Sequence, residues 1–228
     1  MKYKFDKKYH KYGEVAWSVW DTLPSNSLKE INNILNKLES NNFKEGIPRN
    51  QFLVGQIEKE YKLILPKKSI FRDYLNKTTI HILENNQQYY YEHVLKHFQA
   101  QNLKSYPSVE WGDLWVNYQE KYEYNPLHNH TGLMSFVVWY KIPFKNEEEK
   151  KVGPGKNKGA QQQNQNGNFY FVTAYGPGGQ AREHNFDIDI NYEGTIVFFP
   201  SNLMHGVYPF YSSDDYRISI SGNLYLKT

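Results

Sequence analysis

Three histidines in this 228-residue chain have the type and spacing of a metal site. His128 and His130 sit one residue apart in "LHNHTGLMSFVVWY" (127–140). Side chains two apart on a strand point the same way, so an H-x-H at a strand end offers two nitrogens to one point. Such a pair is weak by itself, because it needs a third ligand from elsewhere. "GTIVFFPSNLMHGVYPF" (194–210) supplies His205, at a strand start just past a turn at Pro200. Three imidazoles with open positions suit redox-active iron as well as zinc. A fourth feature follows in "DDYRISISGN" (214–223), where Arg217 and Ser219 share one strand face. A guanidinium fork matches a carboxylate bidentately, and a serine hydroxyl adds a donor. A metal at one end and an Arg–Ser clamp at the other would hold a small dicarboxylate. Each residue also has a plainer reading: a turn histidine at 205, or Arg217 paired on the surface with Asp214 or Asp215.

The elements that must position these residues fall in two regions. Residues 1–105 read as a mixed, largely helical support within a single domain spanning 1–228. "LPSNSLKEINNILNKLESNN" (23–42) has Leu28, Ile31, Ile34, Leu35 and Leu38 at helical spacing, with Ser25 to Ser27 as N-caps. Residues 49–66 read as irregular or extended, and 78–102 as a long helix. That helix carries His93 and His97, four apart; with no third ligand in sight, a solvated face is the better reading. From residue 106 the chain turns to β-branched and aromatic runs bounded by Gly, Pro and Asn: 107–120, 132–143, 168–176, 184–192, 194–200 and 216–226. They lie too close together for crossover helices, so the expected core is antiparallel, a jelly roll over 106–228. Between two of them, 145–168 is charged and then Gly/Gln/Asn-rich, and reads as a surface insertion with little to bury.

Composition narrows the classes. There is no cysteine, so no disulfide framework and no thiolate metal site. Net charge is +3, no electrostatic footprint for nucleic acid. No run approaches the ~20 apolar residues of a membrane span, and "MKYKFDKKYHKYGEV" lacks a signal-peptide core. A cytoplasmic protein is expected, in the host cytoplasm if it is phage-encoded.

Taken in order, His-x-His…His…Arg-x-Ser on a mainly β chain resembles the 2-oxoglutarate/Fe(II)-dependent oxygenases. The wording is most similar to the prolyl-hydroxylase-like branch found in bacteria and tailed phages, through "HNH", "FPSNLMHGVYP" and "RISISGN" over roughly 107–226. The resemblance implies a double-stranded β-helix with an N-terminal helical support. It implies Fe(II) on His128 and His205, with His130 standing where most members carry Asp. It implies 2-oxoglutarate on Arg217 and Ser219, with Tyr118 and Tyr140 as further cosubstrate contacts, and ascorbate as an accessory reductant. The substrate would be a peptidyl, prolyl-like group or a small molecule, hydroxylated with release of succinate and CO2. Nothing after Arg217 supplies the second Arg of the nucleic-acid demethylase branch. Two other readings stay open: a cupin-type metalloprotein that does not use 2-oxoglutarate, and a non-catalytic jelly-roll binding module.

Overall fold

The structure is a computed structural model, and it describes residues 8–12, 16–86, 108–157, 164–175 and 179–227. Two antiparallel sheets face one another, and two helices cover the outside of the larger. The strands are β1 (Lys8–Lys11), β2 (Trp17–Thr22), β3 (Lys59–Leu63), β4 (Ser108–Gln119), β5 (Asn125–His128) and β6 (Met134–Lys141). They continue with β7 (Phe169–Tyr175), β8 (Gln180–Phe186), β9 (Thr195–Pro200), β10 (Met204–Val207) and β11 (Arg217–Lys227). The helices are α1 (Ser25–Ser40), α2 (Ile70–Asn85) and the short α3 (Asn146–Glu149). The large sheet runs β1-β2-β9-β6-β11-β4-β3 and the small one β5-β10-β7-β8. This is the expected mainly β jelly roll.

Strand alternation divides the large sheet into two faces with different partners. Val116, Tyr118, Phe136, Val138, Ile196, Phe198, Ile218 and Ile220 pack with Ile31 and Leu35 of α1 and Phe71, Leu75 and Ile82 of α2. The opposite face places Val137, Trp139, Val197 and Phe199 against Phe169, Phe171 and Val207 of the small sheet. That second interior is where the sheets meet, and the site lies at one end of it.

The helices form as their apolar spacing predicts, with different ends. The N-cap of α1 is Pro24, without a side-chain cap, rather than a residue among Ser25–Ser27. A proline suits a helix start because the first N–H groups lack intrahelical partners. Helix α2 begins at Ile70, ahead of the helix expected at 78–102; that helix beyond residue 86, with His93 and His97, lies outside the described residues. Ser69 caps α2 by accepting from Arg72 N (3.0 Å), and Glu30 of α1 accepts from Ile70 N (2.8 Å) and from Ser69 Oγ. A carboxylate at a helix N-terminus is favoured by the helix dipole, so α1 anchors α2 over the sheet.

In the segment 145–168, Glu149 is wholly buried and accepts backbone N–H bonds from Tyr211 (2.7 Å) and Ser212 (2.9 Å). Asn166 donates to Val152 O (2.8 Å). The described parts of this polar segment are therefore tied down by hydrogen bonds where apolar burial is lacking. The strand expected at 184–192 ends at Phe186; Asp189 then accepts from Asn191 N (2.9 Å) and starts a short 3-10 turn, Ile190–Tyr192.

Strand β11 lies between β6 and β4, and Gly222 pairs with Leu114 on one side and Phe136 on the other. A Cβ there would collide with Leu114 Cδ2 and lie 2.9 Å from Phe136 Cε1. Gly222→Val is expected to cost about 1–3 kcal/mol of stability by overpacking, measured as a lower denaturant midpoint with an unchanged slope.

Candidate metal centre

Strand pairing brings the histidines together. β5 and β10 are antiparallel neighbours, and their register sets His128 directly opposite His205. His130 lies two residues beyond the end of β5 and is held by its backbone N–H, which donates to Ser201 O at 2.8 Å. The turn after β9 thus fixes the loop after β5. Ring centroids are 4.3 Å apart for His128–His205, 4.9 Å for His128–His130 and 5.0 Å for His130–His205. One ligand nitrogen from each lies within 4.8 Å of the others, so the group could hold a metal ion.

Second contacts orient two of the rings. His128 Nδ1 lies 2.7 Å from Pro126 O and His205 Nδ1 lies 2.9 Å from Leu203 O. A carbonyl accepts only from a protonated ring nitrogen, so each Nε2 is left as a lone-pair donor. Phe199 packs on His205 at 4.7 Å and Trp115 on His130 at 5.9 Å. Burial dominates the electrostatics. His205 is pushed well below the ordinary histidine range by desolvation and then by the other two rings. His130 is lowered to about 4 by burial and then by His128, and His128 is lowered by burial. Three neutral imidazoles at pH 7 are the form a cation requires. The set fits a divalent transition metal: three borderline nitrogen ligands, with room for others on the cavity side.

The cavity beside the triad is floored by the large sheet. One residue from each of four adjacent strands lies at the same level: Trp139 (β6), Ser219 (β11), Asn117 (β4) and Glu60 (β3). Registers Ser219↔Trp139, Ser219↔Asn117 and Glu60↔Asn117 fix this row. All four line the cavity with His128, His130 and His205. Trp139 Nε1, Asn117 Oδ1 and Glu60 Oε2 are buried without hydrogen-bond partners among the described residues, and the Asn117 Nδ2 to Ser219 Oγ contact is long, at 3.4 Å. Buried polar atoms are nearly always paired, so a row of unpaired ones marks a place for a ligand.

The other expected site residues lie elsewhere. Arg217 shares the face of Ser219, is 1% exposed, and does not line the cavity. Its Nε and Nη2 donate to Gln119 Oε1 (3.1 and 2.9 Å), Nη2 also to Tyr208 O (2.8 Å), and Nη1 to Gly167 O (2.6 Å). Phe210 and Phe144 stack against it at 5.3 and 5.8 Å, and desolvation lowers it to about 9 against the opposing pull of Glu149. The surface pairing with Asp214 or Asp215 is absent: Asp214 binds Lys121 and Asp215 binds Lys141. Tyr118 and Tyr140 are on the helix-covered face. Tyr118 packs on Phe43 at 4.9 Å, and Tyr140 donates to Asn32 Oδ1 of α1 at 2.7 Å. Strand alternation turns both away from the cavity and turns their neighbours Asn117 and Trp139 into it. That alternation was the available signal for Asn117 and Trp139; Glu60 had none, since β3 lies in a stretch of indecisive pattern.

A sequence profile described as "Putative 2OG-Fe(II) oxygenase" matches residues 113–223, from β4 to β11 and spanning all three histidines. A prolyl-4-hydroxylase crystal structure from Pseudomonas putida is similar over 92% of this chain and 93% of its own, with 12% identity and a TM-score of 0.51, which shows a shared fold. A prolyl hydroxylase from Trichoplax adhaerens, solved with a hypoxia inducible factor oxygen degradation domain peptide fragment, is similar over 89% of this chain and 78% of its own at 14% identity, with a TM-score of 0.43. No curated protein sequence matches this chain.

Two outcomes are expected here. Alanine at His128 or His205 should weaken Mn(II) or Co(II) binding by roughly 100-fold or more, and His130→Ala by about tenfold or more, in calorimetric titrations. The second concerns Glu60, which burial and then the charge of Glu123 raise from 4.5 to about 8. A group raised on folding adds stability that is complete below its unfolded value and is lost as pH rises through its folded one. The melting temperature of metal-free Glu60→Gln should therefore rise relative to wild type between about pH 5 and pH 9; an offset that does not change with pH would contradict the shift.

Proposed function

We propose that this chain is a 2-oxoglutarate- and Fe(II)-dependent oxygenase of the prolyl-hydroxylase-like branch, and that it hydroxylates a C–H bond of a peptidyl, prolyl-like substrate or a small molecule. The observation that carries this reading is the convergence of His128, His130 and His205 beside a floor of unpaired polar atoms. When bound, Fe(II) with 2-oxoglutarate and O2 supplies the oxidising chemistry: one oxygen atom enters the substrate C–H bond and the other leaves in succinate, with CO2 released.

The side chains bind, orient and exclude water. His128 and His205 present Nε2 because Pro126 O and Leu203 O hold their Nδ1 hydrogens. His130 completes the set without adding the negative charge of a carboxylate, so the protein ligands leave the metal's charge to be balanced by the cosubstrate. Ser219 Oγ and Trp139 Nε1 are neighbouring donors that line the cavity, and in this proposal they receive the far carboxylate of 2-oxoglutarate. Arg217, two residues before Ser219 on the same face, supplies positive charge from behind, with one Nη1 hydrogen left over from its bonds among the described residues. Phe169, Val207 and Val137 line the remaining wall and exclude water from the reacting groups. Tyr118 and Tyr140 have no part in this arrangement.

Ascorbate is proposed as an accessory reductant, and a reducing cytoplasm suits a chain without cysteine. Among the described residues no helix is long and apolar enough to cross a membrane.

The test is binding of 2-oxoglutarate to the Mn(II)-loaded protein. Ser219→Ala is expected to weaken it about 3- to 10-fold, the value of one hydrogen bond. Arg217→Lys, which keeps charge but loses the fork to Gln119, is expected to weaken it at least as much. Unaltered affinity in both variants would leave a metalloprotein of cupin type that does not use 2-oxoglutarate.

A further inference from the structure

Glu60 is a buried acid that neither the metal centre nor the cosubstrate uses. It is 1% exposed on β3, at the edge of the large sheet, and faces the cavity of the three histidines. Its Oε2 has no hydrogen-bond partner among the described residues. The basic side chains near it are committed elsewhere: Lys59 to Glu120 at 2.9 Å, Lys62 to Asp113 at 2.6 Å and Arg49 to Asp113 at 3.3 Å. Burying a carboxyl without a partner is costly, and burial together with Glu123 raises this one to about 8. Its strand partner Asn117 also leaves Oδ1 unpaired.

The row on the cavity floor has a direction. Trp139 Nε1 is a donor at one end, with the Ser219 hydroxyl next to it. Asn117 Oδ1 and Glu60 Oε2 are acceptors at the other. A carboxylate cosubstrate needs donors and has no hydrogen to give, so it uses the first end and leaves the acceptors for a second ligand. The segment Leu53–Gly55 borders the cavity on the Glu60 side. A Cβ on Gly55 would sit 2.7 Å from Glu60 Oε1 and 2.6 Å from Asn125 Oδ1, so the Leu53–Gly55 segment rests directly on the acid. Leu53 and Val54 line the same cavity with carbon. An apolar wall in the same cavity as two buried acceptors fits a hydrocarbon chain carrying a cationic head.

We infer that Glu60, with Asn117, is the substrate-recognising pair, and that the substrate carries an aliphatic ammonium group seated on their two oxygens. This rests on the oxygenase reading above and names the chemical class of its substrate. The ammonium supplies the hydrogens both acceptors lack and pairs with the carboxylate that forms as it binds. The apolar part of the substrate then lies between Leu53, Val54 and the histidines, bringing a C–H bond toward the metal. Gly55 lets the covering segment close on the acid; any side chain there would press on both Glu60 and Asn125.

The experiment uses Mn(II)-loaded protein with saturating 2-oxoglutarate, titrated separately with n-butylammonium, n-butanol and butyrate. Butylammonium is expected to bind at least tenfold more tightly than either of the others. Glu60→Gln, which keeps the shape, is expected to abolish that preference, with the loss falling on butylammonium and not on butanol. Should Glu60→Gln fail to fold, Gly55→Val reads the same site and is expected to weaken butylammonium at least tenfold by covering the acid. Equal binding of the three probes by wild type, a preference for butyrate, or a preference that survives both substitutions would overturn the inference. A separate titration with 2-oxoglutarate alone distinguishes the two failures. If 2-oxoglutarate does not bind, the oxygenase reading is wrong; if it binds and the ammonium preference is absent, only the role of Glu60 is wrong.

Discussion

The site depends on one pairing, β5 against β10, which sets His128 opposite His205. β5 is a four-residue edge strand, and β10 is equally short. Backbone carbonyls two residues upstream tie the Nδ1 of both histidines, so each ring is oriented by the chain just before it. His130 joins through the hydrogen bond to Ser201 O, which links the loop after β5 to the turn before β10. Burying three imidazoles together favours the neutral form of each, through lost hydration and mutual repulsion of any protons. The cost of removing these rings from water thereby becomes readiness for a cation.

The large sheet does two jobs by keeping its faces separate. One face is closed by α1 and α2 and holds the fold together through a continuous aliphatic and aromatic layer. The other carries the cavity floor, where unpaired polar atoms are tolerated. Arg217 belongs to the second interior but acts first on structure. It gathers Gln119 of β4, Gly167 in the turn before β7 and Tyr208 just after β10 around one guanidinium. A buried guanidinium with this many carbonyl partners is rigid, so its charge is preorganised whatever the ligand. Glu149 plays a comparable part in the 145–168 segment, where its carboxylate orders the chain at Tyr211 and Ser212.

The sequence by itself determined the elements with strong periodicity: the helix after Pro24, most of the strands from β4 onward, and the three histidines with Ser219. It could do so because these signals are local: apolar spacing, turn residues, and ligand types at strand ends. It did not show β1, β2, β3 or β5, which are short or lie in polar stretches, where neighbouring strands supply the burial that makes them strands. Tyr118 and Tyr140 show the limit most clearly. Each is one residue from a cavity-lining neighbour, and only the side on which the helices pack decides which of the pair faces the three histidines. Arg217 and Glu60 are the converse cases. The first has the residue type of an anion clamp, yet the tertiary structure commits most of its hydrogens to carbonyl oxygens. The second has no distinguishing pattern, yet the register of β3 on β4 places its carboxyl in the cavity. Residue type and spacing state what chemistry is available, but a side chain's remaining hydrogen-bonding capacity depends on partners distant in the chain, and only tertiary structure assigns those.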